Sequence, residues 1–236
     1  MSLLTVIQYV AGRTNVTVPA SVLGTSDPQV LQLLRLLEEE GEDLRKRGPW
    51  NGIIKEASWT STAAEDQGAL TTLAASGFDY IKKDTFWDRT SKFPIIGPLS
   101  DSEWQARQAL AITGPRYSWR IRGGKMLISP VPSASLTFVF EYISKYWILG
   151  IDGTTYKQYF TLDTDTILLP EELVIMGLRW RWKKEKGFDY AEDFRTYEMQ
   201  VKDALGRDGG KVTLSMDGTI RKPQPGIFVS DMSWSL

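Results

Sequence analysis

Helical patterning occupies the two ends of this chain, and short alternating runs fill the middle. Helices that bracket a sheet-forming stretch admit few architectures, because each element must bury its apolar face on another layer. The strongest helix signal is DPQVLQLLRLLEEEGEDLRKRG, residues 27–48. Asp27 suits the N-cap and Pro28 the first helical position. Val30, Leu33, Leu34, Leu37 and Leu44 recur at helical spacing, while Arg45, Lys46 and Arg47 sit where the helix dipole favours cations. Gly48-Pro49 ends the helix. Gly41 is a weak point, costing about 1 kcal/mol relative to alanine. The run Glu38 to Glu40 reads as a solvated face. Before it, residues 2–11 read as a short apolar helix ended by Gly12.

The second helical end begins at LLPEELVIMGLRWRWKKEK, where Pro170 opens a helix. Glu171 and Glu172 fall in its first turn, and Lys183, Lys184 and Lys186 in its last. Gly187 breaks it. DYAEDFRTYEMQVKDAL then forms another helix, with Asp189 as candidate cap and Phe194, Tyr197, Val201 and Leu205 along one stripe.

Between these ends lie IIKEASWTS, YIKKDTFWD, YSWRIRG, KMLISPV, SLTFVFEYIS and QYFTLDTDTILL, separated by turn-forming Gly, Pro, Ser and Asp. Gly123-Gly124 sits between two alternating runs and predicts a hairpin. LTFVFEY sets Thr137, Val139 and Glu141 opposite Phe138, Phe140 and Tyr142. SDSEWQARQAL predicts a short helix capped by Ser100 or Ser102. The expected class is α+β. A helical hairpin or bundle domain (1–49 and 169–206) carries an inserted antiparallel β-sandwich or barrel-like domain (50–168). An extended C-terminal arm (207–236) follows.

Composition narrows the chemistry. The chain has no cysteine and no histidine, which excludes disulfides, thiol nucleophiles, Cys/His zinc sites and a histidine-based triad. Nothing in it calls for a cofactor or a metal. The net charge of −1 gives no general signature of a nucleic-acid binder. The N-terminal MSLLTVIQYVAGRTNVTV lacks the pattern of a secretory signal, and no apolar run approaches the ~20 residues of a membrane span. The expectation is a chain made in the cytoplasm, with no membrane partner. GRDGGKV and IRGGKM fail as phosphate-binding loops, because their spacing is wrong and no helix follows.

Three constellations compete for function. Asp163 and Asp165 in TLDTDT could serve as an acid/base pair or hold calcium, as in a carboxylate-based carbohydrate-active tail enzyme. Trp87, Trp104, Trp119 or Trp147 could line the recognition surface of a glycan-binding β-module, with core packing as the default for aromatic residues in strands. The third is the charged helix pair. Trp180, Arg181, Trp182, Lys183 and Lys184 could meet phosphates and bases, but Asp189, Glu192 and Asp193 follow and blunt the field. Trp180 and Trp182 are two positions apart, so one is expected to face a core and the other a partner. A hairpin with one basic and one acidic flank suits repeated packing, in which the bases of one copy meet the acids of the next. These eight residues are the candidate subunit-interface set.

The order of parts, with RKRGPWN, DTFWDRT, GPLSDSEW and FEYISKYWI followed by the helix pair, resembles the tail tubular protein A-like head-to-tail adaptors (connectors) of short-tailed bacteriophages. The resemblance spans about residues 28–206. It implies a non-enzymatic ring of twelve copies at the head–tail junction of the virion. Such a ring joins the portal protein to the tail nozzle protein around a channel that DNA crosses with non-specific contact. It also implies a C-terminal arm that reaches the portal, here with Ile227, Phe228, Met232 and Trp234 as docking candidates.

Overall fold

The structure, a computed structural model, describes residues 1–74, 77–110 and 116–208. The chain begins with α1 (Leu3–Ala11), α2 (Pro28–Arg47), β1 (Ile54–Thr60), β2 (Asp66–Ala69) and α3 (Leu70–Leu73). It continues with β3 (Phe78–Ile81), β4 (Trp87–Asp88), β5 (Phe93–Pro94), α4 (Asp101–Ala109), β6 (Ser118–Arg122), β7 (Lys125–Ser129) and β8 (Thr137–Ser144). Last come β9 (Ile148–Leu149), β10 (Tyr156–Lys157), β11 (Thr166–Ile167), α5 (Glu171–Glu185) and α6 (Ala191–Asp208). The class is α+β, without a closed barrel among the described residues. These residues form two compact units, one from 1–55 with 143–208 and the other from 56–142. The chain passes between them inside β1 and β8.

In the first unit, α5 packs against α1, α2 and α6. Contact on several sides explains why its apolar residues follow no single stripe. Leu173, Val174, Leu178, Trp180 and Trp182 are all buried in one core with Leu3 and Ile7 of α1, Leu33, Leu37 and Leu44 of α2, and Tyr197 and Val201 of α6. The expectation that one of the two tryptophans faces outward is therefore corrected. The helix ends follow the local chemistry. The Ser2 hydroxyl accepts from Thr5 N–H, and the Asp27 carboxylate accepts from Gln29 N–H at 2.8 Å. The small sheet β10-β9-β11 also belongs to this unit. QYFTLDTDTILL contributes only β11 to it, because Asp165 turns the preceding residues into a hydrogen-bonded loop.

Gly41 has a packing reason. The Trp147 ring lies directly over it, and a methyl group at position 41 would overlap that ring. Trp147 is itself wholly buried, and its indole N–H donates to Glu42 at 3.3 Å. Glu40 corrects the expectation of a solvated acidic run, since its side chain is completely buried.

The second unit contains a five-stranded sheet, β1-β8-β4-β5 with β3 also on β8, and a three-stranded sheet, β2-β7-β6. Both sheets supply one aromatic core, with Phe138, Phe140 and Tyr142 of β8 meeting Trp119 of β6 and Met126 and Ile128 of β7. Trp59 packs edge-on to Phe138 and Phe140 at centroid separations of 5.8 and 5.4 Å. The predicted hairpin is present. Arg122 pairs with Lys125 across Gly123 and Gly124, whose φ angles of 58° and 73° suit the two-residue turn that this pair of glycines favours. Ser100 caps α4 in a reciprocal capping box with Glu103.

Gly41→Ala tests the packing of α2. Alanine is worth about 1 kcal/mol more than glycine in a helix. Overlap with Trp147 is nevertheless expected to leave the variant about 1–3 kcal/mol less stable in denaturant unfolding.

Candidate functional site

The centre of the helical unit is a buried polar cluster that joins α2, α5 and α6. Arg181 of α5 donates from Nε to Glu40 Oε2 of α2 at 2.7 Å, and its terminal nitrogens reach neighbouring Glu39 and, one turn on, Asp43. The Tyr197 hydroxyl of α6 donates to Glu40 Oε1. Gly177 leaves the space the carboxylate occupies, since a Cβ there would overlap it. Burial pushes the Glu40 carboxyl above its ordinary value, although Tyr197 and Arg181 pull it back. Burial alone would lower Arg181, but its hydrogen bond to Glu40 and the charge of that group outweigh this and raise it. The first shift disfavours an ionised pair and the second favours it. Two donors converging on one carboxylate decide for the ionised form. Tyr197 is pushed up by its own burial and by the Glu40 charge, so it remains a donor.

Arg181 is itself one of the sequence-derived interface residues, and the other seven lie on α5, on α6 and in the turn between them. Trp180 stacks among Tyr190, Phe194 and Tyr197, at 6.2, 5.0 and 6.2 Å between centroids. Lys186 stands over the Trp182 ring at 4.4 Å. Lys183 and Arg179 both bind Asp193 of the same chain, so the basic and acidic flanks close on each other here. Asp189 accepts from Ala191 N–H at 3.1 Å, and exposed Glu192 lies 3.7 Å from Arg195. Lys184 is exposed, its amine 5.9 Å from the Trp180 ring. Ile227, Phe228, Met232 and Trp234 lie outside the described residues.

The residues that sequence reasoning missed are at the turn between α5 and α6. Phe188 is 63% exposed, and Tyr190 and Phe194 are each 38% exposed. The available signal was FDYAEDF, three aromatic residues within seven positions just beyond the helix-breaking Gly187. The sequence puts Phe194 on one stripe with Tyr197, Val201 and Leu205. Phe194 instead stands at the stripe's edge, with one face on Trp180.

The carboxylates of TLDTDT have structural partners. Asp163 accepts from Val22 and Leu23 N–H at 2.9 and 3.0 Å. Asp165 accepts from Thr161 and Leu162 N–H at 2.8 and 3.0 Å and pairs with Lys157 at 2.8 Å. Burial would raise both carboxyls, but these donors outweigh it and hold both below their ordinary 3.8. A general acid needs the opposite shift. Trp104, Trp119 and Trp147 are buried and offer no platform. Trp87 is half-buried beside an open cavity of about 500 Å³ lined also by Glu56, Asp84, Arg89, Lys92 and Glu141. Among the described residues no cluster of three acidic side chains could hold a metal ion, and no helix is long and apolar enough to cross a membrane.

A helix hairpin joined by internal charge, with aromatic side chains left on its surface, is suited to contact with another surface. The sequence matches the SU10 adaptor protein family over residues 1–222. The chain belongs to that family. A search of curated proteins finds no match. The family is one of phage adaptors, so this adaptor is a structural component of the virion that interacts with other head or tail proteins. The match covers both described units, so the β unit is part of the adaptor and not an appended module.

Arg181→Met is expected to cost about 3–5 kcal/mol, because it strands a buried carboxylate. The double variant Glu40→Met/Arg181→Met should lose much less than the sum of the two single changes, as read by a double-mutant cycle in urea. For Asp165 the folded carboxyl is depressed, so its contribution is present above the ordinary pKa of 3.8 and is lost as pH falls through the folded value. Asp165→Asn should therefore be about 1–3 kcal/mol less stable at pH 7, with the gap to wild type closing below pH 3.8.

Proposed function

We propose that this adaptor forms an oligomeric ring joining the phage portal protein to the tail nozzle protein and continuing the DNA channel. The family match over residues 1–222 is the observation that carries this reading. The resemblance of RKRGPWN, DTFWDRT, GPLSDSEW and FEYISKYWI to tail tubular protein A-like connectors of short-tailed phages suggests its finer form, a dodecamer at the head–tail junction that assembles from chains made in the host cytoplasm. The helical unit is the ring-forming part. Its exposed Lys184, Asp189 and Glu192 are available to a neighbouring copy, while Trp180, Arg181 and Trp182 set the shape of the surface from within.

Near-neutral net charge suits a conduit, through which DNA passes with non-specific contact, better than a clamp. Residues 207–236 carry Ile227, Phe228, Met232 and Trp234, apolar side chains whose burial on the portal would offset the cost of ordering that segment. The protein is read as non-enzymatic, because the acid pair most suited to catalysis is consumed as hydrogen-bond acceptors.

The test is native mass measurement of the purified protein mixed with the portal ring encoded in the same genome. Many adaptor copies per portal are expected. Deleting residues 209–236, which spares α6 and the hydrogen bonds from Asn51 to Asp208, should abolish portal binding while leaving the remaining chain folded. A chain that stays monomeric and ignores the portal would overturn the reading.

A further inference from the structure

The turn between α5 and α6 is built to a defined geometry and yet leaves the Phe188 ring in water. Gly187, at φ 74°, donates to Lys184 C=O at 3.1 Å, and Phe188 N–H donates to Lys183 C=O at 2.9 Å. This is the paired hydrogen bonding of a Schellman motif. In that motif the residue after the glycine commonly packs on the side chain at the start of the last turn. Here that position is Lys183, whose amine is committed to Asp193, and the Phe188 ring is 63% exposed.

Tyr190 and Phe194 widen the patch, and their inner faces rest on Trp180. Trp180 in turn rests on Tyr197, the donor to buried Glu40. Tyr190 and Phe194 are thus preorganised by Trp180, and little of their side-chain freedom remains to be lost on contact. Aromatic centres with polar rims are what protein interfaces present.

The surrounding charge selects the occupant. Exposed Lys184, Lys186 and Arg195 are matched by exposed Glu185, Asp189 and Glu192, so the rim carries both signs in equal number. Nucleic acid needs a net basic surface. A mixed neutral rim instead suits a protein surface that also carries both signs, and a different face of a second copy, from a chain with 28 basic and 29 acidic residues, offers one in the head-to-tail manner a ring requires.

We infer that Phe188, Tyr190 and Phe194 form the contact by which one copy of this chain docks onto the next. The inference rests on the ring reading and assigns its copy–copy contact to the hairpin turn.

Cooperativity of loading tests it. With adaptor mixed below saturation with portal rings, native mass spectrometry of wild type should show filled and empty portals with few intermediates. Phe188→Asp should instead give a random distribution of singly bound copies, with at least a tenfold loss of cooperativity. Because the replaced ring is exposed, thermal unfolding should be unchanged, and Phe188→Leu should keep cooperative loading. Three results would overturn the proposal: equal cooperativity in Phe188→Asp, loss of single-copy portal binding in that variant (which moves the patch to the portal), or equal loss in Phe188→Leu. Wild type that loads no portals would instead sink the ring reading itself.

Discussion

Glu40 and Arg181 are 141 positions apart in sequence and share a hydrogen bond inside the helical unit. A buried ion pair is weak evidence of stability, because desolvation can cancel the attraction. It is strong evidence of register, because neither charge tolerates a misplaced partner. Arg181 fans across Glu39, Glu40 and Asp43, and Tyr197 closes the remaining oxygen, so α2, α5 and α6 have one satisfactory alignment. The glycines at 41 and 177 admit the Trp147 ring and the Glu40 carboxylate, respectively. Other features follow from that alignment. Trp180 is buried by Tyr190, Phe194 and Tyr197, and Asp193 comes to rest between Arg179 and Lys183.

Much of this was legible in the chain. Asp27, Pro28 and Gly48 bounded α2 because capping chemistry is local, and Gly123-Gly124 marked its hairpin for the same reason. The class followed from where each periodicity occurs. Long-range partners were illegible, and they decided Glu40 and Gly41. A glutamate in EEE has no local reason to be inside, and a glycine in a helix is a defect until the ring above it is seen. The short strands at 148–149 and 156–157 left no periodic trace, since two residues cannot show alternation. Asp165 broke the predicted run because its carboxylate captured the backbone N–H groups that a strand would have used.

The candidate site was partly legible. WRWKKEK and DYAED announced opposite charges on neighbouring helices, and the structure does bring Lys183 to Asp193. The pairing is internal, however, because a five-residue turn folds the second helix straight back on the first. Local concentration favours the partner already attached. The surface left over is aromatic, and a turn sequence carries no periodicity from which exposure could be read.

The wide sequence separation within the helical core has a consequence for how the chain is made. α1 and α2 leave the ribosome long before α5 and α6, which supply the other half of their core. Residues 56–142 have an aromatic core of their own and are complete earlier. Synthesis therefore holds a leucine-rich helix without its partners while an entire β unit emerges, a long interval of exposed apolar surface. Glu40, charged and unpaired throughout that interval, sits in the middle of this helix and opposes its burial in any assembly that lacks Arg181. The residue that fixes the final register is thus also a charge whose burial is costly until Arg181 has been made.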